Sequence, residues 1–571
     1  MIRFDAGRRQ GGLIETAERK MLHRADSYDA LVADFRWQGL SGFHNIADIV
    51  ADRWAEREPD RVCLEYFHPD GHHCRWSYGE LRAAANRLAS GLQAAGISRG
   101  ERLAILLPQS FETVVAHVAA YKIGAIAVPL ALLFGPEALE YRLRHSGARA
   151  IVVDGAGLEK LAAVRENLPE LRLVIVAGDA KAAAGVRDSL SLESLLAAGS
   201  DTFQTARTTA STPALMIFTS GTTGPPKGAL HGHGVLAGHL PGIQFAHEFM
   251  PRPGDRMWTP ADWAWAGGLL NALLPALALG VPVVASRAQK FDGHTAFRIL
   301  SGMQVRNAFI PPTALRLMKA VEAPARRYDF RLRSVSSAGE PLGRDTFEWA
   351  RRELGVSVNE LYGQTECNAV IASCAALGVS RPPAIGKPVP GHRVAVLDRF
   401  GSPAPVGEAG EIAIERPDPV MFLGYWEDEA ATTARFSGDW LLTGDQAVVD
   451  EDGYIGFVGR EDDIITSSGF RIGPGEIEDC IAAHPSVAMV AVVGRPDPVR
   501  TEIVKAFVVL RDGVEASDEL AREIAGQVRS RLSAHEYPRE VEFVADLPMT
   551  TTGKIVRREL RARTSHGPEE G

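Results

Sequence analysis

Short apolar runs alternate with helical patterns along most of the first 360 residues. Between residues 43 and 210, the runs at 102–108, 125–129, 150–154 and 172–177 have the length of buried strands. The stretch 77–95 between them has an apolar helical face, and Ser77 and Glu80 at its start have the spacing of a capping box. The alternation returns from residue 215 to 362. This pattern predicts two parallel-type α/β sheets covered by helices.

The pattern changes near residue 381, where short strands and turns replace the helices. The runs at 394–397, 411–414 and 454–458 predict a small β-barrel-like unit at 381–461. Beyond residue 462 a compact α+β pattern begins, with helices at 474–483 and 517–532 and strands at 488–493, 504–510 and 541–544. We therefore predict an N-terminal extension (1–42), a large domain (43–461) and a small mobile C-terminal domain (462–571).

One long apolar stretch, at 263–286, contains no charged side chain and has the length of a membrane span. Gly267, Pro275, Gly280 and Pro282 interrupt it. We predict a loop, a buried helix near 269–279 and a strand at 281–285, and no transmembrane segment.

Composition narrows the possible functions. Apolar residues make up 46% of the 571 residues and charged residues 23%, as in ordinary globular proteins. Lys and Arg together number 62 and Asp and Glu 71, a net charge of −9 that provides no basic footprint for nucleic acid. The five cysteines form no C-x-x-C pair, and the N-terminus lacks a secretory pattern. These features favour the cytoplasm, with an organellar matrix as the alternative.

A loop rich in glycine and hydroxyl side chains, Thr-Ser-Gly-Thr-Thr-Gly-Pro-Pro-Lys-Gly, occupies residues 219–228 directly after an apolar run. Its glycines allow close backbone approach, its hydroxyls can donate hydrogen bonds, and Lys227 adds a positive charge, all of which suit polyphosphate. Pro226 and Gly228 depart from the P-loop pattern. We expect a helix to begin at Ala229. An ordinary surface turn remains the alternative for the loop taken alone.

Four further motifs could carry chemistry. They are Ser-Ser-Ala-Gly-Glu-Pro at 336–341, Asn-Glu-Leu-Tyr-Gly-Gln-Thr-Glu at 359–366, Leu-Thr-Gly-Asp at 442–445 and Gly-Lys at 553–554. We expect Asp445 on a tight turn and Lys554 on a flexible loop. Each acid or lysine taken singly also fits a surface group or a helix cap.

In this order and spacing, the motifs resemble those of the adenylate-forming superfamily, and within it the AMP-forming acyl-CoA synthetases, over about residues 43–563. The segments 467–478, 496–500, 504–509 and 537–539 are most similar to the medium-chain acyl-CoA synthetases. The resemblance implies the large domain and mobile C-terminal domain of that family. It also implies two half-reactions: a carboxylic acid and ATP form acyl-AMP and pyrophosphate, and coenzyme A then displaces AMP.

The resemblance implies an ATP site with three catalytic residues, Thr365 at the α-phosphate, Glu366 as the Mg²⁺ ligand and Lys554 between the substrate carboxylate and the α-phosphate. The whole set of expected ATP contacts is Thr219, Ser220, Gly221, Thr222, Thr223, Gly224, Lys227, Gly339, Glu340, Pro341, Glu360, Tyr362, Gly363, Gln364, Thr365, Asp445, Arg460 and Lys554.

The resemblance also implies a rotating C-terminal domain, with Asp462 at the hinge, that exchanges Lys554 for a coenzyme A tunnel. A side chain at Gly469 would obstruct that tunnel. The expected coenzyme A contacts are Ser468, Gly469, Phe470, Arg471, Arg500, Ser530, Tyr537 and Arg539.

The expected acyl pocket consists of Trp265, Ala266, Gly267, Ala338 and Gly363. Acetyl-CoA synthetases have a tryptophan at the position of Gly363 and bulkier residues beside it. The smaller residues predict space for a medium-chain, branched or aromatic acid.

Two alternatives and one partner complete the predictions. The chain could load a carrier protein, although it contains no carrier segment, or could be a non-catalytic binding protein, although the catalytic residues are all present. The context of Lys554 also resembles that of synthetases silenced by lysine acetylation, which makes a lysine acetyltransferase a candidate partner. The alternative is that the family requires this Gly-Lys pair for catalysis in any case.

Overall fold

The fold is seen in a computed structural model, which describes residues 21–38, 40–68, 72–178, 188–219, 225–287, 291–467, 470–497, 500–532, 537–549 and 555–565. The N-terminal part contributes the helix Tyr28–Asp34, the π-helix Asp48–Asp52 and the helix Arg53–Arg57. Trp37 anchors this part on the large domain, since its Nε1 donates to Gly391 O at 3.2 Å.

The first sheet combines strands from the first half of the chain with one short strand from much later in the sequence. In spatial order its strands are Gly424–Tyr425, Gly228–Gly232, Pro213–Phe218, Ile126–Pro129, Arg102–Leu106, Ala150–Val153, Leu173–Val176 and Ser189–Ser191. From Pro213–Phe218 onward the strands pair in parallel. The central strands are buried along their length because helices cover the sheet.

The helices associated with the first sheet are Tyr78–Ala94, Phe111–Ile123, Pro136–Ser146, Gly155–Ala162 and Leu192–Ala198. The predicted capping box is present: Ser77 N donates to Glu80 Oε2 at 2.7 Å, and Glu80 N donates to Ser77 Oγ at 3.2 Å. The two bonds satisfy amides that the first helical turn leaves without partners.

The second sheet is also largely parallel. In spatial order its strands are Lys387–Pro388, Ile371–Ala372, Val358–Tyr362, Ser334–Ala338, Asn307–Phe309, Met257–Trp258, Val283–Ser286, Val62–Phe67 and His73–Ser77. The sequence pattern grouped 62–77 with the first sheet and 213–232 with the second, whereas the structure exchanges them. The strands in both segments are short, and their local pattern does not specify which distant strand they pair with.

The uncharged stretch 263–286 forms the helical segments Ala266–Gly268, Leu269–Leu273 and Leu274–Ala278, followed by the strand Val283–Ser286. The middle segment is a π-helix. No helix in the described parts of the chain combines the length and apolar character of a membrane crossing. The other helices near the second sheet are Gly234–Ala246, Gly293–Gly302, Pro312–Met318, Pro324–Arg327 and Arg344–Trp349, which continues as the π-helix Ala350–Leu354.

A third, antiparallel sheet forms the unit predicted at 381–461. Its strands are Val394–Leu397, Ala409–Glu415, Phe436–Ser437, Trp440–Val449 and Ile455–Arg460. The short helix Glu429–Thr433 directly precedes the strand Phe436–Ser437 in the chain. The expectation of a tight turn at 442–445 is wrong, because these residues lie inside Trp440–Val449. Gly444 has φ +72, which places a local irregularity in a continuous strand rather than a reversal.

The C-terminal part has its own sheet. Its strands are Phe470–Ile472, Ile465–Ser467, Thr501–Leu510, Val487–Asp497 and Glu540–Phe543, and its helices are Pro474–Ala482, Asp518–Arg531 and Arg557–Ser565. Ile477, Ile481, Ile524 and Val528 from the first two helices are buried in the core against this sheet. The first two helices and the strands Val487–Asp497, Thr501–Leu510 and Glu540–Phe543 lie where the pattern predicts them, whereas the helix Arg557–Ser565 was not predicted.

The five cysteines are free thiols, and Cys74 alone among them is exposed. Burial raises the pKa of the thiols of Cys63, Cys367, Cys374 and Cys480 above the ordinary value. The buried four behave as small apolar core residues.

Candidate active site

The Gly-rich loop connects two antiparallel strands. Pro213–Phe218 and Gly228–Gly232 pair from Phe218 opposite Gly228, and Thr219 N donates to Lys227 O at 2.9 Å. The prediction of a helix from Ala229 is therefore wrong. The strand also pairs with Gly424–Tyr425 on its other edge, and this tertiary pairing prevails over local preference until the helix Gly234–Ala246 begins. Residues 220–224, predicted to bind phosphate, lie outside the described residues.

The two ends of the loop lie against named side chains. Tyr141 OH donates to Pro226 O at 3.0 Å and so anchors the loop to the helix Pro136–Ser146. The ammonium group of Lys227 lies 5.1 Å from the ring centroid of Tyr425, which is within cation–π distance. The charge of Lys227 is thus held at the mouth of the hairpin.

Two predicted motifs lie at the carboxyl ends of adjacent parallel strands. Ala338 pairs with Leu361, so Gly339 and Tyr362 follow side by side from Ser334–Ala338 and Val358–Tyr362. Gly339 has φ +99, a conformation that disfavours residues with a Cβ and lets the chain turn sharply. Open α/β sheets bind ligands at this edge.

The carboxylate of Asp445 gathers several of the predicted ATP residues. Tyr362 OH and Gln364 Nε2 both donate to Asp445 Oδ2, at 2.6 and 2.7 Å. Arg460 is the cross-strand partner of Asp445, and its Nε lies 3.5 Å from Asp445 Oδ1. Burial raises the pKa of Tyr362 well above its ordinary value, and Asp445 raises it further, so this hydroxyl keeps its proton and remains a donor.

Arg435 supports the same cluster and was missed by sequence reasoning. Its Nη2 donates to Gln364 Oε1 at 2.6 Å, while Gln364 Nε2 also donates to Thr443 O at 2.7 Å. The amide of Gln364 is therefore held at both ends. The order of motifs gave no signal for Arg435, which lies between two of them.

Glu340 and Glu360 have protein partners of their own. Glu340 accepts from Thr313 Oγ1 at 2.9 Å and pairs with Arg316. Glu360 Oε2 accepts from Leu342 N at 3.3 Å. Burial raises the pKa of Glu360 from 4.5 to about 8, against a lowering by the Leu342 amide, and Asp479 adds to the rise. Glu360 thus holds the segment 339–342 through the backbone of Leu342, and Glu340 ties the same segment to Thr313 and Arg316.

Glu366 is buried beside the hairpin, and its Oε1 accepts from Tyr425 OH at 2.5 Å. Tyr425 therefore contacts both Glu366 and Lys227, a link that sequence reasoning missed because Tyr425 lies outside the quoted motifs. Thr365, the predicted α-phosphate contact, directly precedes Glu366 in the chain.

The donor set at Glu366 fits Mg²⁺. No group of three or more His, Cys, Asp and Glu side chains in the described residues could form a metal cage. Mg²⁺ commonly binds to one or two carboxylates together with substrate phosphates, and Glu366 offers hard oxygen atoms near Lys227, which was predicted to bind phosphate.

Other parts of the chain fill the space beside two of the predicted acyl residues. A Cβ built on Gly363 would lie 2.5 Å from Asn368 Cα, and one built on Gly267 would lie 3.0 Å from Phe309 Cε1. The glycine at 363 therefore accommodates the backbone of 368–369 and does not simply leave the volume of an indole. Trp265 packs edge-on against Phe134, with ring centroids 5.6 Å apart.

The predicted coenzyme A residues fall into two groups. Phe470 and Arg471 lie on a hairpin strand opposite Ser467 and Thr466, and Ser467 pairs with Thr501, so Arg500 lies beside this hairpin. Ser468 and Gly469, which follow Ser467 in the sequence, lie outside the described residues.

The second coenzyme A group surrounds Tyr537. The guanidinium groups of Arg529 and Arg539 lie 5.5 and 5.0 Å from the ring centroid of Tyr537. Ser530 follows Arg529 and is exposed, with its Oγ donating to Gln527 O at 2.9 Å. Arg529 was not among the predicted contacts.

The predicted hinge residue Asp462 lies in the 3₁₀ turn Glu461–Asp463, directly after the strand Ile455–Arg460. Arg561 donates to Asp462 O and pairs with Asp463 Oδ1 at 2.7 Å. Arg557 pairs with Glu478 at 2.7 Å and lies 3.5 Å from Asp463. The helix Arg557–Ser565 is thus fastened to the turn. Lys554, which precedes this helix, lies outside the described residues.

The C-terminal part rests on the segment that follows Gly339. A Cβ built on Gly343 would lie 2.8 Å from Asp479 Oδ1. Burial alone would lower the pKa of Arg557, but Glu478, Asp463 and Glu340 outweigh it and raise that pKa. The start of the last helix therefore faces the predicted adenine-binding segment in this arrangement.

The comparisons with known proteins cover nearly the same residues as these motifs. The model of a family described as AMP-binding enzyme matches residues 51–426, and that of the AMP-binding enzyme C-terminal domain matches residues 476–554.

Curated relatives match along most of the chain. One from Bacillus subtilis (strain 168), named uncharacterized acyl–CoA ligase YtcI, is 34% identical over 505 residues, covering 88% of this chain and 93% of the relative. The mitochondrial acyl-coenzyme A synthetase ACSM2 of Rattus norvegicus is 33% identical over 533 residues, covering 91% of each. Among solved structures, the anthranilate CoA ligase AuaEII in complex with anthranoyl-AMP has a TM-score of 0.84 and 28% identity, covering 93% of this chain and 99% of that chain.

Proposed function

We propose that this chain, which belongs to the family of AMP-binding enzymes and within it to the acyl-CoA synthetases, activates a medium-chain, branched or aromatic carboxylic acid. In the first step a carboxylate oxygen attacks the α-phosphorus of ATP, and pyrophosphate leaves. In the second step the thiol sulfur of coenzyme A attacks the acyl carbon, the thiol loses its proton, and AMP leaves. Its substrates are thus the acid, ATP and coenzyme A, with Mg²⁺.

The observation that carries the proposal is the set of contacts at Asp445. Its carboxylate is held by Tyr362 and Gln364 on one oxygen and faces Arg460 on the other. A carboxylate fixed in this way can accept hydrogen bonds from both hydroxyls of a ribose, and Tyr362 then offers its ring to the adenine opposite the segment 339–341.

The phosphate side of the site consists of the hairpin 219–227 and Glu366. Lys227 provides positive charge for the β- and γ-phosphates, and Thr365 stands next to the α-phosphate. Tyr425 orients Glu366 while remaining near Lys227. Mg²⁺ bound at Glu366 would neutralise phosphate charge. Positioning and charge stabilisation of this kind dominate reactions at phosphorus.

The acid lies along the wall formed by Trp265, Ala266, Gly267, Ala338 and Gly363. Asn368 and Phe309 fill the space beside Gly363 and Gly267, so the proposed size of the acid depends on the small side chains of Ala266 and Ala338. Each methylene of the acid that is buried there contributes about 0.8 kcal/mol. The name of the similar anthranilate CoA ligase contains an aromatic acid, which supports an aromatic acid as one candidate substrate.

Pyrophosphate release tests the function directly. Wild-type protein with ATP and Mg²⁺ should release pyrophosphate with a subset of straight-chain, branched and aromatic acids, and coenzyme A should convert the bound acyl-AMP to a thioester. If none of the acids in such a panel caused pyrophosphate release, the proposal would be overturned. Pyrophosphate release followed by transfer only to a carrier protein would identify the carrier-loading alternative.

Lys554 should act only in the first half-reaction, since its charge draws together a carboxylate and a phosphate that repel each other. We expect Lys554→Gln to reduce acyl-AMP formation at least 100-fold and to preserve thioester formation from supplied acyl-AMP. Lys505→Gln is a matched control, because Lys505 pairs with Glu542 within the C-terminal sheet. Equal loss of both half-reactions in Lys554→Gln would disprove this role.

Motion of the C-terminal part would then bring the coenzyme A residues to the same site. The proposed contacts are those of the hairpin at 467–472, Arg500 and the group around Tyr537, with Asp462 as the hinge. Positive charge from Arg500 and Arg539 suits the phosphates of coenzyme A.

Regulation and location are further parts of the proposal. Acetylation of Lys554 by a lysine acetyltransferase would remove the charge that the first step requires, and mass spectrometry of this lysine in cells would detect it. We place the protein in the cytoplasm, with the organellar matrix suggested by mitochondrial relatives as the alternative that cell fractionation would reveal.

A further inference from the structure

Two buried asparagines meet beside the predicted acyl residues. Asn368 Nδ2 donates to Asn271 Oδ1 at 2.8 Å, and the two residues are 8% and 2% exposed. The Cα of Asn368 occupies the space next to Gly363. Asn271 follows Gly267 by about one helical turn, so the two face the same side of the helical segment. The pair therefore borders the acyl wall from two elements.

The hydrogen bonding of this pair is incomplete. An asparagine amide has two N–H donors and an oxygen that accepts up to two bonds. Within the described residues, the bond between the two amides leaves Asn271 Nδ2 and Asn368 Oδ1 without a protein partner. Exchanging oxygen and nitrogen in both amides preserves this balance, since one NH₂ group and one carbonyl oxygen still remain. A group that can bind to either would satisfy them.

The surroundings of the pair are apolar. Leu269, Leu270 and Leu273 of the same π-helix are fully buried, and Phe309 lies against Gly267. Buried amide groups in such surroundings are normally hydrogen-bonded. A π-helical turn is itself a feature that often occurs at functional sites, because it shifts side chains out of the regular helical register.

A third polar group is buried near the start of the same segment. Trp263, two residues before Trp265, is 1% exposed, and its Nε1 has no hydrogen-bond partner in the described part of the chain. On either side of Ala266 in the sequence, Trp263 and Asn271 therefore each have a side-chain N–H group with no hydrogen-bond partner among the described residues.

We infer that Asn271 and Asn368 determine acid specificity, and that the preferred acid has a hydroxyl or carbonyl group on its acyl part that hydrogen-bonds to this pair. The inference rests on the proposed function, because it concerns the acid-binding part of the same site. A site built to hydrogen-bond a substrate group strongly rejects an analogue without that group, whereas an apolar pocket discriminates weakly. The specificity would thus concern polarity as well as size.

Matched acids test this specificity. Hexanoate is compared with its hydroxy and oxo derivatives at each chain position, and benzoate with the three hydroxybenzoates, using kcat/KM from pyrophosphate release. We expect wild type to prefer at least one oxygen-substituted acid over its parent by 100-fold or more. Asn271→Leu should bring that ratio within 10-fold of unity by raising kcat/KM for the parent and lowering it for the substituted acid.

A buried asparagine far from this wall provides the control. Asn86 lies in the helix Tyr78–Ala94, and its Nδ2 donates to Asp201 O at 2.7 Å. Asn86→Leu also removes a buried amide, so it should lower thermal stability without changing the ratio for any pair of acids.

A second variant keeps the test decisive if Asn271→Leu does not fold. Asn271→Asp retains the shape but replaces an amide donor by an acceptor, so it should reduce kcat/KM for the oxo acid at least 10-fold more than for the hydroxy acid. Wild-type ratios within threefold for every matched pair, or ratios unchanged in both variants, would show that the pair only ties two elements together. Absence of pyrophosphate release with all acids would instead refute the proposed function.

Discussion

The carboxyl group of Glu360 lies behind the predicted adenine-binding segment, with Leu342 N at 3.3 Å. Burial raises its pKa from 4.5 to about 8, with a further rise from Asp479. The pKa of Asp479 is itself raised from 3.8 to about 7, chiefly by burial and then by Glu478, while Arg316 opposes the rise. Both carboxyls therefore retain protons in the folded protein at pH values where the unfolded chain has lost them.

This difference predicts a pH dependence of stability. For Glu360, the stabilising contribution is fully present below pH 4.5 and is lost as the pH rises through about 8, because the folded state binds the proton more tightly. Between those values it reduces the free energy of unfolding by at most about 1.4 kcal/mol per pH unit. We expect Glu360→Gln to flatten the decline in melting temperature between pH 5 and 8, measured by calorimetry.

Asp479 contributes to the same pH dependence and allows a second comparison. Its raised pKa acts in the same direction, so Glu360→Gln should leave part of the decline, and Glu360→Gln combined with Asp479→Asn should leave less. Parallel curves for wild type and Glu360→Gln over this range would contradict the protonated state of Glu360.

Residues whose type has an evident chemical role could be named from the sequence. The structure brings three of them, Tyr362, Gln364 and Arg460, to the carboxylate of a fourth, Asp445. The contacts of Tyr425 with Glu366 and Lys227 could not be named. They depend on a two-residue strand that pairs with the hairpin, and the local sequence does not specify this pairing. The sequence likewise does not specify that Asn368 packs against Gly363, because this contact depends on how the chain folds back after residue 363.

At the scale of elements, the helix Tyr78–Ala94 offers a direct test of its predicted start. Ser77→Ala removes the side-chain half of the capping box, which typically costs about 1 kcal/mol. We expect the amides of the first helical turn, including Glu80, to exchange hydrogen about fivefold faster, as measured by hydrogen exchange with mass spectrometry.

Ser90→Ala in the same helix is the control for this cap. Ser90 lies in the helix interior, where alanine has the higher helix propensity, so exchange in the first turn should stay the same. Similar acceleration in both variants would mean that Ser77 does not specifically cap the helix.

Elements with a long, regular pattern were predicted well, and the exceptions have identifiable causes. The run from Gly228 to Gly232 became a strand because it pairs on both edges. The residues around Asp445 became part of a strand because Gly444, with its positive φ, accommodates an irregularity without ending the pairing. The local sequence predicted a helix at the first place and a tight turn at the second, and the cross-strand hydrogen bonds overrode both predictions.

At the scale of the whole molecule, the hinge proposal concerns one turn. Arg561 and Arg557 fasten the last helix to the residues at 462–463, while Asp479 and Arg557 lie near the segment 339–343. The arrangement brings the start of the last helix close to the predicted nucleotide site. We propose that this arrangement is the acyl-AMP-forming state and that coenzyme A requires a rotation about the turn.

Asp462→Pro should restrict this rotation, because proline fixes φ near −65° and also limits the residue before it. We expect acyl-AMP formation to remain within threefold of wild type and thioester formation to fall at least 10-fold, measured as separate single turnovers. Asp462→Ala retains backbone freedom and should preserve both steps. Wild-type rates for both half-reactions in Asp462→Pro would exclude a hinge at this residue.

The exchange of strands between the two large sheets is a long-range feature of the fold that the sequence pattern did not predict. Val62–Phe67 pairs in parallel with Val283–Ser286, more than 200 residues away along the chain. Periodicity reports which residues are buried in each strand, and contacts over such separations depend on the packing of the whole domain.

The distribution of cysteines provides a means of observing the molecule in motion. Since Cys74 is exposed and burial raises the thiol pKa of the other four, a maleimide fluorophore at neutral pH should attach to the edge strand His73–Ser77 first. A second dye placed by an added cysteine on the exposed face of the helix Asp518–Arg531 would then report the distance between the two parts by energy transfer. The native chain thus already supplies one of the two labelling positions for watching single molecules during turnover.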